Sequence, residues 1–273
     1  MKENSSARGH SRRRFIQTSA GIVGAASLPM FWIGSAWAQQ SIKIGVAVAK
    51  QGPLAQQGAD IVAGMQKAIE DAGHKALGRS IELVWVDEST PQESVQNAGK
   101  LIEEQKVIAI LGGTTSSTSL AMGAVALRAK VPLISVVGAA REITGKDCNP
   151  FMFRLPASVP VYARAMAPQL LALGKRWYFI AGSFAFGEDV INSFSEVLLA
   201  AGGVVAGIDR VPVATTDYSS FVLKARAAKP DVLVSGAACC LGTTGPGSEA
   251  IVCRSHSFPG SPWKRSCQCC LTA

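Results

Sequence analysis

Histidine is nearly missing from this chain. Three occur in 273 residues: His10 in a basic leader, His256 near the C-terminus and His74 at the end of an expected helix. Nucleophilic or acid–base catalysis therefore lacks its commonest agent near any candidate site loop. The nucleotide patterns GxGxxG after a first strand and GxxxxGK[ST] are absent, and so is the hydrolase pattern GxSxG. Cysteine is almost absent from the first 238 residues, where Cys148 stands alone, while the other six crowd the last 35. So uneven a spread excludes a disulfide framework. Charge is sparse at 17%, against 48% hydrophobic residues, which excludes a disordered chain.

The formal net charge of +8 invites a nucleic-acid partner, but its distribution argues against one. Residues 1–38 carry five Lys/Arg and one acid, whereas residues 39–238 carry 19 Lys/Arg and 17 acids, a balance of only +2. No basic stripe appears inside the globular part, so no nucleic acid is expected as a partner.

The first residues read as an address. A polar, basic segment ends in Ser11-Arg12-Arg13-Arg14, a mild Gly/Ala-rich apolar run reaches Ile33, and Ala36-Trp37-Ala38 offers a small-x-small cleavage site. SRRRFIQ resembles the twin-arginine export signal. A membrane anchor is the competing reading, but Gly, Ser and Pro29 interrupt the run. Residues 1–38 are therefore expected to be a signal peptide, with the mature chain in the periplasm.

From residue 41 the pattern alternates. Ser41–Ala49 and Ile81–Val86 read as strands, and Val107–Leu111 is a short apolar run suited to a strand buried on both faces. Helical spacing spans Ala59–Ala72, Pro91 suits the first position of a helix through Ile102, and another helix precedes the strand Val131–Val136. After Phe151–Leu155 a second series begins. It has a helix over Ala163–Leu173 that Pro168 must kink or break, then strands at Trp177–Gly182, Val204–Val213 and Asp231–Ser235. Helices are expected after Ser183–Glu188 and over Tyr218–Ala228. This order predicts an α/β fold of two doubly wound parallel-sheet lobes, 39–156 and 157–238.

The point of interest is Gly112–Thr118, where two glycines are followed by five consecutive hydroxyl residues between a strand and a helix. Ligands of open α/β sheets bind at the carboxyl ends of strands, and a helix N-terminus suits a carboxylate or phosphate. Plain N-capping needs only one of those hydroxyls. Asp87 and Glu88 read as turn or helix-dipole residues, and Arg154 as the partner of a carboxylate at the lobe boundary.

With Gln51-Gly52-Pro53-Leu54-Ala55 after strand one, Gly112–Ser117 after strand three, Asn149-Pro150 leading to Phe153-Arg154, and Ala185-Phe186-Gly187-Glu188 in the second series, residues 41–238 resemble the type I periplasmic substrate-binding proteins of ABC importers. The leucine/isoleucine/valine-binding group is the nearest in pattern. The resemblance implies two lobes closing on a small ligand and no reaction upon it. It implies no cofactor or metal, a membrane permease as partner, and a monomer. Carried over by position, Ser116 would hold a ligand carboxylate, with Thr114, Thr115 and Ser117 beside it. Val137 and Ala139 fall where a hydroxyl often takes an ammonium group, and neither has one. Gln57 and Phe186 fall where aromatics often pack on ligand, and only Phe186 keeps the ring. The ligand is thus left open among a branched-chain amino acid, an amide, a carboxylate or another small polar solute. A sensor of the same fold, passing occupancy to a signalling partner, is the alternative function.

Beyond Ala238 the character changes. Residues 239–273 show no strand or helix periodicity and are rich in Gly, Ser, Pro and Cys. They are expected to be an irregular tail foreign to the fold, as after a change of reading frame. That would leave lobe two short, with an exposed sheet edge and weakened binding. A zinc site from Cys253, His256, Cys267, Cys269 and Cys270 is the competing reading, though the spacings fit no finger or ribbon.

Overall fold

A computed structural model describes residues 40–237 and the backbone of 251–254. The leader, residues 1–38, and the clustered cysteines of the tail lie outside the described residues. Among the described residues no helix is long and apolar enough to cross a membrane.

The first sheet contains β1 (Ile42–Val48), β2 (Lys75–Ala76), β3 (Arg79–Asp87), β4 (Ala109–Gly112), β5 (Leu133–Ser135) and β6 (Met152–Arg154), in the order β2-β3-β1-β4-β5-β6. All neighbours are parallel except β2, which makes a hairpin with β3. That hairpin was not expected from the pattern. Its turn, Leu77-Gly78, has positive φ at both residues (52° and 77°), the backbone that matches the twist of a tight hairpin. The second sheet, order β10-β9-β7-β8, contains β7 (Arg176–Gly182), β8 (Val204–Val211), β9 (Val232–Gly236) and β10 (Ile251–Arg254). β7 is buried from Trp177 to Gly182, as an unbroken apolar run in a covered parallel strand should be.

β10 corrects the expectation of a tail without regular structure. Ile251–Arg254 pairs antiparallel with β9, Ile251 opposite Ser235 and Arg254 opposite Val232. The β9 edge that was expected to be bare thus has its ladder groups paired. Four residues are too few for periodicity to announce, and an antiparallel return needs no crossover helix.

The helices are α1 (Ala55–Asp71), α2 (Pro91–Glu103), α3 (Ser116–Ala129), α4 (Val159–Leu173), α5 (Ala185–Ala200) and α6 (Ser219–Ala227). α1 begins four residues earlier than its apolar spacing suggests. The 3-10 turn Gly52–Leu54, with Pro53 in its first positions, leads straight into it. α2 starts as expected, with Pro91 in its first turn and the Thr90 hydroxyl capping the Glu93 N–H. α4 runs through Pro168 without the expected break. Its buried face, Val159, Ala163, Ala167 and Leu170, packs into the core beside α5, and that burial outweighs the lost hydrogen bond.

Each sheet has its own core. Leu101, Val107, Ile110, Met122 and Leu133 fill the first, and Trp177, Phe179, Phe194 and Leu198 the second. The chain passes once between them, from β6 into α4.

Candidate functional site

The site is built where β4 gives way to α3. Gly112 lies so close to β1 that a Cβ there would meet the Ala47 carbonyl oxygen at 2.1 Å, and Gly113 turns the chain at φ 84°. Thr115 is the N-cap. Its Oγ1 accepts from the Thr118 N–H at 3.1 Å, while Thr118 Oγ1 accepts from the Thr115 N–H at 3.2 Å. This is a reciprocal capping box. The N–H groups of Ser116 and Ser117 open the helix and, among the described residues, meet no protein acceptor. They are the exposed positive end of the α3 dipole.

The other hydroxyls are engaged with the protein, each differently. Thr114 Oγ1 accepts from the Ala49 N–H at 3.0 Å and ties the loop to the end of β1. Ser116 Oγ accepts from the N–H groups of both Ala139 and Ala140, at 3.1 Å each. A hydroxyl has two lone pairs and one proton. With both lone pairs taken, Ser116 can only donate to anything else that reaches it. Ser117 Oγ accepts from the Ala185 N–H at 3.2 Å, so a hydroxyl of the first lobe caps α5 of the second.

Behind this mouth sits Glu88, only 1% exposed. Its carboxylate accepts from the Gly113 N–H at 3.1 Å and from the Thr114 N–H. Burial pushes the Glu88 carboxyl up to about 7, against the pull of those bonds and of the Thr114 and Thr118 hydroxyls. Its neighbour Asp87 goes the other way. Burial raises it, but bonds from the Lys50 N–H, the Ser89 hydroxyl and the Gln51 amide together hold it below the usual carboxylate range. Asp87 ends β3 and fastens the loops at Lys50–Gln51 and Ser89. Glu88, the next residue, is an interior acceptor for the Thr114 N–H and, shared with the Ala47 carbonyl, the Gly113 N–H.

A narrow cleft with a cavity volume of about 20 Å³, partly open to solvent, lies over this loop. It is lined by Leu54, Gln57, Thr114, Thr115, Ser116 and Val137 from the first lobe and by Phe184 and Phe186 from the second. The sequence places Gln57, Thr114, Thr115, Ser116, Val137 and Phe186 as site residues, and all six border this one space. Ser117 and Ala139 do not. Ser117 is turned to Ala185, and Ala139, 5% exposed, is packed in the core of the second lobe. Leu54 and Phe184 were not expected. Phe184 stacks with Phe186 at 6.3 Å between centroids and 22° between planes, which makes an aromatic wall opposite the hydroxyls. Two phenylalanines at i, i+2 flanking a strand-to-helix turn were the available signal. No charged side chain lines the cleft among the described residues.

Next to the cleft the lobes are joined by ions. The Arg141 backbone N–H and Nε both donate to Asp189 on α5, at 2.6 and 2.5 Å, and Nη2 reaches Ser193 Oγ at 2.7 Å. The Asp189 side chain is wholly buried. Arg154, expected to pair with a carboxylate, instead donates Nη1 to the Ala140 carbonyl at 3.1 Å, because Arg141 already holds the nearest acid.

Comparison with known proteins agrees with this geometry. Residues 41–239 match the family model described as periplasmic binding protein. The chain is 28% identical over 221 residues to the Leu/Ile/Val-binding protein homolog 7 of Brucella abortus, covering 77% of this chain and 55% of that one. A solute-binding protein of an ABC transporter from Rhodopseudomonas palustris, solved with 4-hydroxybenzoate, is similar at TM-score 0.66 and 27% identity, over 72% of this chain and 54% of the other. A leucine-binding protein from Thermotoga maritima is similar at TM-score 0.64 and 26% identity, over 71% and 55%. The chain spans about half the length of the curated relatives it matches. With two α/β lobes meeting over a donor-lined cleft and a family match over most of its length, the chain belongs to the periplasmic binding protein family.

Proposed function

We propose that this chain is an extracytoplasmic solute-binding component of an ABC importer, which captures a small carboxylate with an apolar, aromatic body and hands it unaltered to a membrane permease. The observation that carries the proposal is the saturation of Ser116 Oγ by two N–H donors beside the open N–H groups of Ser116 and Ser117. The Ser116 hydroxyl and the Ser116 and Ser117 N–H groups are donors there, so their partner is an acceptor, and a planar carboxylate fits. The Phe184–Phe186 wall then suits a ring on the ligand. An α-amino acid also needs an acceptor for its ammonium group, and no carboxylate borders the cleft among the described residues. This favours the benzoate-type ligands seen with Rhodopseudomonas palustris relatives over leucine. The basic leader and its Ala36-Trp37-Ala38 site support delivery to the periplasm, and the Ser11–Arg14 run fits the twin-arginine route.

Calorimetric titration of the purified chain with benzoate, 4-hydroxybenzoate and leucine tests this. Heat of binding is expected for the two benzoates, with leucine at least about tenfold weaker. Tighter binding of leucine would overturn the ligand class, and no binding of any of the three would overturn the receptor function.

A further inference from the structure

The α3 mouth serves two anions at once. Of the five amide protons from Gly113 to Ser117, that of Thr114 is bonded to the Glu88 carboxylate, that of Gly113 is shared between Glu88 and the Ala47 carbonyl, that of Thr115 goes to the Thr118 hydroxyl, and those of Ser116 and Ser117 are left for a ligand. Glu88 is buried, bonded only to neutral donors, and has no cation beside it. The charged groups on the surrounding elements are engaged elsewhere. From the end of β1, Lys50 turns its amine to the Trp85 carbonyl. From the end of β3, Asp87 faces the Lys50 N–H, Gln51 and Ser89. From the first turn of α2, Glu93 takes the Thr90 hydroxyl. β4 and the first turn of α3 bring only neutral groups, the Thr114 and Thr118 hydroxyls among them.

We infer that binding of an anion at the Ser116–Ser117 mouth is coupled to uptake of a proton by Glu88. The inference rests on the receptor function proposed above and adds how the site is regulated. Two carboxylates at one helix end, one of them buried and only a loop between them, repel each other. The dipole there amounts to roughly half a positive charge and cannot compensate both. The cheaper state has one of them neutral. The ligand carboxylate is the more exposed and the better hydrated, so Glu88 is the group that takes the proton. Its upward displacement to about 7 means that little pH change is needed. Affinity for an anion therefore rises as pH falls, over the range where Glu88 exchanges its proton.

The test is calorimetric titration of benzoate into the full chain at about pH 6, 7 and 8, in buffers of different ionisation enthalpy, over a range where benzoate stays ionised. Proton uptake of a sizeable fraction of one equivalent at the upper pH values is expected, with affinity roughly tenfold tighter at about pH 6 than at about pH 8. Glu88→Gln should bind with little pH dependence and no proton exchange. Benzoate binding without proton uptake in the unaltered chain, or unchanged linkage in the Glu88→Gln chain, overturns the coupling and leaves the receptor function standing. Absence of benzoate binding at every pH removes both. Should the variant fail to fold, the proton count of the unaltered chain decides alone.

Discussion

The two lobes share a plan and differ in what they bury. In both, the first strand passes through a short loop into a helix whose early glycine lies against the strand end. Gly58 of α1 sits where a Cβ would be 1.9 Å from the Ala49 carbonyl oxygen, and Gly187 of α5 where it would be 1.9 Å from that of Gly182. The first lobe buries Glu88, Ser94, Thr114, Ser116, Thr118, Ser119 and Ser135, a polar network gathered largely at the ends of β3, β4 and β5. The second buries fewer polar groups, Asp189, Ser193 and Ser235, beside Trp177, Phe179, Phe194 and Leu198, and presents two phenyl rings to the cleft. The cleft thus has a polar side in the first lobe and an aromatic side in the second.

The shared glycine contact can be broken most severely. Gly58→Ala and Gly187→Ala each force a methyl into a backbone carbonyl that cannot move aside, and each is expected to cost about 3 kcal/mol or more in urea unfolding. Equal losses would confirm the shared plan. A loss in only one lobe would show that the other helix can shift.

The joint between the lobes comes next. Asp189→Ala leaves the Arg141 backbone N–H and guanidinium without their buried acceptor, and about 2–4 kcal/mol is expected to be lost. The lower half of that range applies because the Arg141 side chain is 36% exposed. Glu196→Ala, which removes the other acid at Arg141, is expected to cost under about 1 kcal/mol, since Glu196 is 63% exposed.

The polar network gives the first lobe a pH signature that the second lacks. Glu88 binds its proton more tightly folded than unfolded, so stability is greatest below its ordinary carboxyl range, declines as pH rises from about 4.5 to about 7, and then levels off. The decline is expected to be about 3 kcal/mol from this group, and to vanish from the difference between pH 5 and pH 8 in Glu88→Gln. Urea midpoints at the two pH values check it. A stability that rises over this window in the unaltered chain and in the variant alike would show that Glu88 is ionised throughout.

Ser116→Ala is moderate for the fold and the most severe for binding. It orphans the Ala139 and Ala140 N–H groups, at about 1–3 kcal/mol, and removes the outward donor. Loss of benzoate binding with retained folding is expected, and Ser116→Thr should recover part of it.

Much of this was visible in the chain. The alternation of apolar runs with helical spacing foretold the strands of both sheets except β2 and β10, which are two and four residues long. The run Thr114–Ser117 marked the mouth, but its division of labour did not show. Which hydroxyl caps, which is saturated and which crosses to the other lobe depend on partners 3 to 68 residues away. Glu88 beside Asp87 looked like half of an ordinary acidic turn, because only the close approach of β4 to β1 closes water away from it. Arg141 and Asp189 lie 48 residues apart, and nothing local in either stretch pointed to the other. The first turn of α1 was missed because its start is set by the bare backbone of Gly58 against Ala49, which leaves no trace in hydrophobic spacing.

The bond from the Ala185 amide to the Ser117 hydroxyl differs in kind from the ion pair near it. Water can replace that hydroxyl at little cost, so the seam can part there without leaving a helix end bare. Arg141 and Asp189 have no such substitute: pulling them apart strands a charge. Of the two contacts, the hydroxyl one is therefore the cheaper to part and the ionic one the costlier.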